Sequence, residues 1–379
     1  MRPSAHYQSC SRATMSAFIL AIAGSLAACD QVSVPTAVPV LASASRTAVA
    51  NHADRALKVM TYNIYQGTEL QNSIAATTPM QFLLGAGMDF EMMRQTDFAK
   101  RVFVIASEVA EHHPDLIGLQ EVAQWRTAPY PGSAPAVTVE QDFLAMLLRA
   151  LEARGLHYEV VSSVSNFDVQ APARLSTGVV ELVRLTDSNV ILARRDTGEA
   201  HLAVFNAQSS NFATNLHIAT VGGDVTVLEG WASIDVKRRG RVVRFITTHL
   251  DAFAPPIRAA QANEVLNGPA NTDLPVVLVG DLNSTTTATS YLAFAGSGFM
   301  DIWATLFPGD PGFTCCQVLP TIDNASSALS KRIDYVLARG LFPAGIDRLG
   351  VDASSRTASG LWPSDHAGLV ATLVLEQRD

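Results

Sequence analysis

The sequence predicts an α/β fold built on a mixed β-sheet. Strand-length apolar runs alternate with segments whose apolar residues recur at helical spacing, as in layered α/β proteins. Hairpins interrupt that alternation too often for a purely parallel sheet. Of 379 residues, 48% are hydrophobic, enough to bury a large core, and α/β domains run past about two hundred residues as one unit.

A leader precedes the fold. Arg2 and Arg12 are followed by an apolar run from Ala17 to Ala28. About a dozen residues cannot cross a bilayer of about 30 Å as a helix, but they suit the apolar region of an export signal. The run closes on Leu26-Ala27-Ala28-Cys29, which resembles the lipobox of bacterial lipoproteins, where the cysteine is acylated and becomes the new N-terminus. An ordinary signal peptide that contains a cysteine is the alternative. The expected organisation is a signal peptide over 1–28, lipidation at Cys29, a flexible Ala/Val/Ser/Thr/Pro tether over 29–56, and one folded domain over 57–379. Such a protein is exported to the cell envelope and held at a membrane by its lipid.

Within the domain, Lys58–Ile64 reads as a first strand that ends on a polar residue. Val102, Ile105 and Val109 predict a helix over Phe98–His112 that stops before Pro114. Asp115–Glu121 reads as a buried strand, and Phe143–Arg154 as a helix closed by Gly155. Strands follow at Tyr158–Ser162, Gly178–Leu185 and Asn189–Arg194. Residues 196–230, rich in Asn, Thr and Gly, read as a hairpin or long loops that shape access to a site. Trp231–Lys237 and Arg241–His249 form a hairpin across Arg238-Arg239-Gly240. A helix over Ile257–Leu266, a continuous apolar strand over Pro275–Gly280, and strands at Ile333–Ala338 and Leu369–Leu375 complete the order.

The balance of 27 Lys and Arg against 35 Asp and Glu, a formal charge of −8, argues against a protein that grips duplex DNA globally. Its one obvious basic cluster, Lys237-Arg238-Arg239, sits about ten residues from His249, some 30 Å at about 3.3 Å per extended residue. Of four cysteines, Cys10 leaves with the leader and Cys29 carries lipid, so Cys315 and Cys316 remain. In an exported protein they are expected to form a vicinal disulfide; two buried thiols are the alternative.

Five apolar strands end in polar residues: Tyr62-Asn63, Gln120-Glu121, Thr248-His249-Leu250-Asp251, Gly280-Asp281-Leu282-Asn283 and Ser364-Asp365-His366. Each alone is an ordinary solvated strand end. Together they supply the carboxylates, amides and two histidines that metal-assisted hydrolysis needs. In this order, with Arg332-Ile333-Asp334-Tyr335 between the last two, they resemble the endonuclease/exonuclease/phosphatase superfamily over roughly residues 57–376.

The resemblance implies a DNase I-like four-layer α/β sandwich, with two mixed sheets face to face and helices outside. It implies a divalent-metal-dependent phosphoester hydrolase, a phosphodiesterase or phosphatase. Glu121 is its main ligand for Mg²⁺ or Mn²⁺, with Asn63 and Asp365 completing the surroundings. Asp281 would hold or deprotonate the attacking water while Asn283 steers phosphate oxygens. His366, paired with Asp334, would stabilise growing charge, and His249 would protonate the leaving oxygen or bind phosphate. Asp187 sits where the nuclease branch carries a carboxylate that orients this histidine; it reads equally as a turn residue. Arg332 either contacts phosphate or pairs with an acid, Asp251 has no assigned role, and Thr314-Cys315-Cys316-Gln317 matches no mechanistic motif.

Abasic-site repair enzymes generally lack the Thr-His-Leu stretch, which argues against that branch. The substrate is left as a phosphoester of a small molecule, a lipid head group or a nucleic acid, acted on by a monomer. An extracellular DNase I-like nuclease is the first alternative, and a non-catalytic binding lipoprotein the second.

Overall fold

The computed structural model describes residues 56–132, 134–195 and 202–375. The expected signal peptide, Cys29 and the tether up to residue 55 lie outside them. Sixteen strands among the described residues are named in chain order. They are β1 Ala56–Asn63, β2 Leu116–Gln120, β3 Gln124–Pro129, β4 Thr138–Asp142, β5 Tyr158–Arg174 and β6 Val180–Arg194. Then come β7 Ala203–Asn211, β8 Leu216–Thr220, β9 Gly223–Val227, β10 Gly230–Arg238 and β11 Arg241–His249. The last are β12 Val276–Asp281, β13 Met300–Asp301, β14 Asp334–Arg339, β15 Leu341–Leu349 and β16 Gly368–Leu375. The principal helices are α1 Pro79–Gln95, α2 Phe98–His112, α3 Phe143–Glu152, α4 Pro255–Asn267 and α5 Thr289–Gly296.

The strands form two mixed sheets, one ordered β15-β16-β1-β2-β6-β3-β4 with β5 on β6, the other β13-β14-β12-β11-β10-β7. Each has one parallel pair at its centre, β1 with β2 and β11 with β12, among antiparallel neighbours. These central strands are apolar without alternation because both of their faces are covered. Between the sheets lie Val59, Ile191, Ile234, Phe245, Val277 and Leu373. Gly118 permits the sheets to close: a Cβ there would stand 2.6 Å from both Thr247 and Val279 of the opposing sheet. Phe90, Phe98, Val102, Phe143 and Leu147 seat α1, α2 and α3 on the outer face of the first sheet, and Ala262, Val265 and Phe294 seat α4 and α5 on that of the second. This is the expected four-layer sandwich.

Several expectations need correction. The two strands expected over 178–194 are one, because β3 and β5 pair along β6 and carry it through the polar Thr186-Asp187-Ser188 stretch. Helix α1 was not anticipated; its glycines, Gly85 and Gly87, blur the helical signal, yet any Cβ there would strike the backbone of Asn72 or Arg174. β15 was also missed: it is an edge strand whose Pro343 and Gly345 flank a register shift. Within the 196–230 stretch, residues 202–230 supply β7, which joins the second sheet, and a separate β8–β9 hairpin. Among the described residues, no helix is long and apolar enough to cross a membrane.

Candidate active site

Strand register assembles the site. The parallel pairing of β11 with β12 sets His249 beside Asp281, and the antiparallel pairing of β12 with β14 sets Asp281 beside Asp334. In the other sheet, β1 and β2 set Asn63 beside Gln120, so Glu121 follows directly. The Ser364 hydroxyl donates to the Asn63 carbonyl at 2.7 Å and fastens the Asp365-His366 loop to the end of β1. Both sheets therefore deliver side chains to one rim.

Of the residues expected there, Asn63, Glu121, His249, Asp281, Asn283, Asp334, Asp365 and His366 meet. Asn63 Nδ2 donates to Glu121 Oε1 at 2.8 Å and to Asp281 Oδ2 at 3.2 Å, while its Oδ1 accepts the Tyr65 N–H at 3.0 Å. Glu121 Oε2 accepts the Gln66 N–H at 2.8 Å, and Glu121 itself has a positive φ of 56°, a conformation costly for a residue with a side chain. Asp281 Oδ2 lies 3.5 Å from His249 Nε2 and 3.7 Å from His366 Nε2. Asn283 Nδ2 is 3.0 Å from His249 Nε2. His366 Nδ1 is 2.8 Å from Asp334 Oδ2, the short distance of a charge-assisted bond.

The Thr314-Cys315-Cys316-Gln317 segment now has a structural role. Thr314 Oγ1 accepts the N–H groups of Ile333 and Asp334, both at 3.1 Å. Its carbonyl accepts the Ala367 N–H, and the Gln317 N–H donates to the Asp365 carbonyl. The segment thus straps the chain bearing Asp334 to the loop bearing His366. Cys315 and Cys316 are joined as the vicinal disulfide that the sequence suggested.

Beneath the rim lies Arg101 of α2, with no solvent exposure. Its guanidinium donates to the carbonyls of Ile64 and Pro363 at 2.8 Å, Tyr65 at 2.9 Å and Thr96 at 2.7 Å. One cation thereby ties the chain after β1 to the segment before Ser364.

The electrostatics follow from carboxylates crowded with few cations. Burial pulls His249 down, but Glu229, Asp281, Glu121 and Asp187 outweigh it and raise its pKa to about 9. Burial likewise opposes the charge on His366, yet Asp334, Asp365 and Asp281 hold it well above the ordinary range. Burial raises Asp334 and Asp365 to about 6, against the pull of His366. Among the described residues, the ion-pair partners of Asp281 and Asp365 are histidines, and Glu121 has none. Asp281, Asp334 and His366 each bring a potential ligand atom within 4.8 Å of the others. Three acids with no lysine or arginine among the described residues in ion-pair contact, in an oxygen-rich donor set, fit a hard divalent cation.

Asp187 is not the residue against His249. It is buried close enough for its charge to act there, but in the continuous β6 its Oδ2 turns to Asn166 Nδ2 on β5, at 3.0 Å. Glu229 takes the nearer place, with Oε2 3.9 Å from His249 Nδ1. Glu229 was missed, although counting back from the Arg239-Gly240 turn sets Gly230 opposite His249 and Glu229 beside it. Arg332 pairs with Asp301 at 2.6 Å, so the acid-pairing reading holds for it. Asp251 Oδ1 accepts the N–H groups of Phe253 and Ala254 and shapes the turn into α4. Arg258 of α4, also missed, donates to the Asn283 carbonyl.

A model of the endonuclease/exonuclease/phosphatase family matches residues 60–366. No curated protein matches the sequence. Among solved structures, a mannosyl-6-phosphatase of Bacteroides thetaiotaomicron is similar at TM-score 0.50 and 19% identity, over 84% of this chain and 100% of that one. A second protein of that organism, described as of the endonuclease/exonuclease/phosphatase family, is similar at TM-score 0.50 and 17% identity, over 85% and 98%. One from Bacteroides vulgatus is similar at TM-score 0.50 and 16% identity, over 85% and 99%. At such identities the likeness is one of fold.

Proposed function

Since the chain belongs to the endonuclease/exonuclease/phosphatase family, we propose that it is a divalent-metal-dependent phosphoester hydrolase, exported and lipid-anchored through Cys29 at the cell envelope. The observation that carries the chemistry is the convergence of Glu121, Asp281 and Asp365 with His249 and His366, with no lysine or arginine among the described residues in ion-pair contact with the three acids. Glu121, with Asn63 and Asp365 beside it, would hold Mg²⁺ or Mn²⁺. The bound cation supplies charge neutralisation at the phosphoryl oxygens.

The chain's own groups do the rest. Asp281 accepts a proton from the attacking water. Asn283 aligns a phosphate oxygen. His366, kept protonated by Asp334, donates a hydrogen bond to the phosphoryl group as negative charge accumulates. His249, held cationic by the surrounding carboxylates, gives its proton to the departing oxygen.

A nuclease reading is less favoured. Arg238 is already paired with Asp115 at 2.6 Å, at the end of the β10–β11 hairpin remote from His249. A non-catalytic binding lipoprotein is disfavoured because every expected acid, base and ligand except Asp187 meets at the rim, and Glu229 stands where Asp187 was expected.

Purified protein should hydrolyse a soluble phosphodiester or phosphomonoester, lose that activity in EDTA and regain it with Mg²⁺ or Mn²⁺. Glu121→Gln should weaken the metal response. Full activity in EDTA overturns the metal assignment, and no turnover of any phosphoester favours the binding protein. Lipid labelling abolished by Cys29→Ser tests the anchor independently.

A further inference from the structure

The catalytic groove and the space it opens into form one cavity of about 940 Å³, at the upper end of the roughly 300–1,000 Å³ typical of small-molecule sites. One wall is β5 and β6, presenting Phe167, Ala171 and Leu185; another is α1, presenting Phe82. The third is the β8–β9 hairpin. Its residues alternate, so that Ile218 and Val225 line the cavity while His217 and Ala219 are exposed.

An isolated two-stranded hairpin is marginal in water, so this one needs a support. Its turn is seated on α1: a Cβ on Gly222 would come within 2.3 Å of the Phe82 ring, so any larger residue there would push the ring aside. The hairpin therefore bridges the cavity instead of closing onto a core. Phe82, Phe167, Ala171, Leu185, Ile218 and Val225 line this space among polar residues such as Asp168, Gln170 and Asp224, and a hydrocarbon chain laid along the apolar ones would remove their surface from water. Besides the two histidines, the cationic side chains lining the whole space are Arg258 and Lys331, enough for one phosphate but few for a polyanion.

Resting on the hydrolase reading, we propose that the substrate is a phosphoester bearing a hydrocarbon tail, which occupies the cavity under the β8–β9 hairpin while its phosphate sits at His249 and His366. Water cleaves the phosphoester bond, and the proton lost to Asp281 is balanced by the one given to the leaving oxygen by His249.

The test uses a series of phosphodiesters differing only in one ester chain, from methyl to dodecyl, held below the micellar concentration with Mg²⁺. kcat/KM should rise about twofold to fourfold per methylene until the cavity fills. Val225→Phe and Ala171→Phe, on opposite walls, should flatten the rise and leave the methyl ester unchanged. A flat series, or a rise that both variants preserve, overturns the proposal. The dodecyl ester is also offered in phosphatidylcholine vesicles; turnover there without turnover of the monomer places the tail outside the cavity and overturns it too.

If even the methyl ester is inert, the hydrolase reading fails, and binding decides the cavity. A dodecylphosphonate carrying a terminal bromine should quench Trp125, which lines the space. Quenching lost in Trp125→Phe and weakened at least tenfold in Val225→Phe supports the tail site. Absence of quenching rejects it.

Discussion

Asp334→Asn isolates what one buried carboxylate does for catalysis. Asp334 and His366 are both buried, their 2.8 Å bond is charge-assisted, and Asp334 heads the carboxylates that raise His366. The asparagine keeps size and shape, and Thr314 still receives the backbone N–H at this position, so the local fold should persist. Breaking a buried ion pair costs about 3–5 kcal/mol. At about 1.4 kcal/mol per decade of rate, full expression at the transition state gives roughly 10²- to 4 × 10³-fold in kcat. KM should change little, because the bond matters most as charge develops. The sign with pH is fixed: a histidine that lost its raising carboxylate deprotonates earlier, so the alkaline limb of the rate profile moves to lower pH. Steady-state kinetics on a soluble phosphodiester measures the first effect, and NMR titration of His366 in metal-free protein the second. An unchanged kcat, or a His366 that titrates as before, refutes the pairing as the source of its charge.

Three further outcomes follow from other contacts. Glu229→Gln should lower the His249 pKa from about 9 and cut kcat about tenfold, whereas Asp187→Asn should change it less than about threefold; equal effects in pH-rate profiles would undo the ranking. Arg101→Met removes four bonds to backbone carbonyls and should cost about 3–5 kcal/mol in urea unfolding, with weaker metal binding by calorimetry. Burial raises Glu108 to about 8 against the opposing hydrogen bonds of the Tyr62 hydroxyl and the Gly350 backbone, so folding favours its protonated form; stability falls as pH rises from about 4.5 to 8. Glu108→Gln should remove that slope and stabilise the protein by about 3 kcal/mol at pH 7, read from denaturant midpoints across pH.

What was legible in the sequence depended on how local the signal was. Helix α2 declared both its ends, with Val102, Ile105 and Val109 on one face and Pro114 beyond, and the structure keeps Phe98–His112. The apolar strands before Asn63, Glu121 and Asp281 likewise marked where polar ends would gather, whereas Ser364-Asp365-His366, expected to end a strand, lies in the loop that leads into β16. Asp187 misled because its polar surroundings look like a turn, while partners distant in sequence hold them in a strand. The cavity under the hairpin was invisible, since it depends on where Gly222 lands on α1, a contact spanning well over a hundred residues. The strap through Thr314 escaped for the same reason: its donors lie on segments that only tertiary structure brings near.

The pairing of β1 with β16, which sets Ala56 against Val374 and Thr61 against Leu369, also dictates timing. A ribosome delivers the first strand more than three hundred residues before its partner. Until the end of the chain emerges, β1 lacks one neighbour and the Ser364-Asp365-His366 loop does not exist to complete the rim. No nascent fragment can therefore carry hydrolytic activity, and fusions truncated before β16 should be silent however much of the second sheet they contain. Such distant pairing also makes folding slow and leaves an apolar strand edge waiting for its mate, so the newborn chain is a natural client for chaperones.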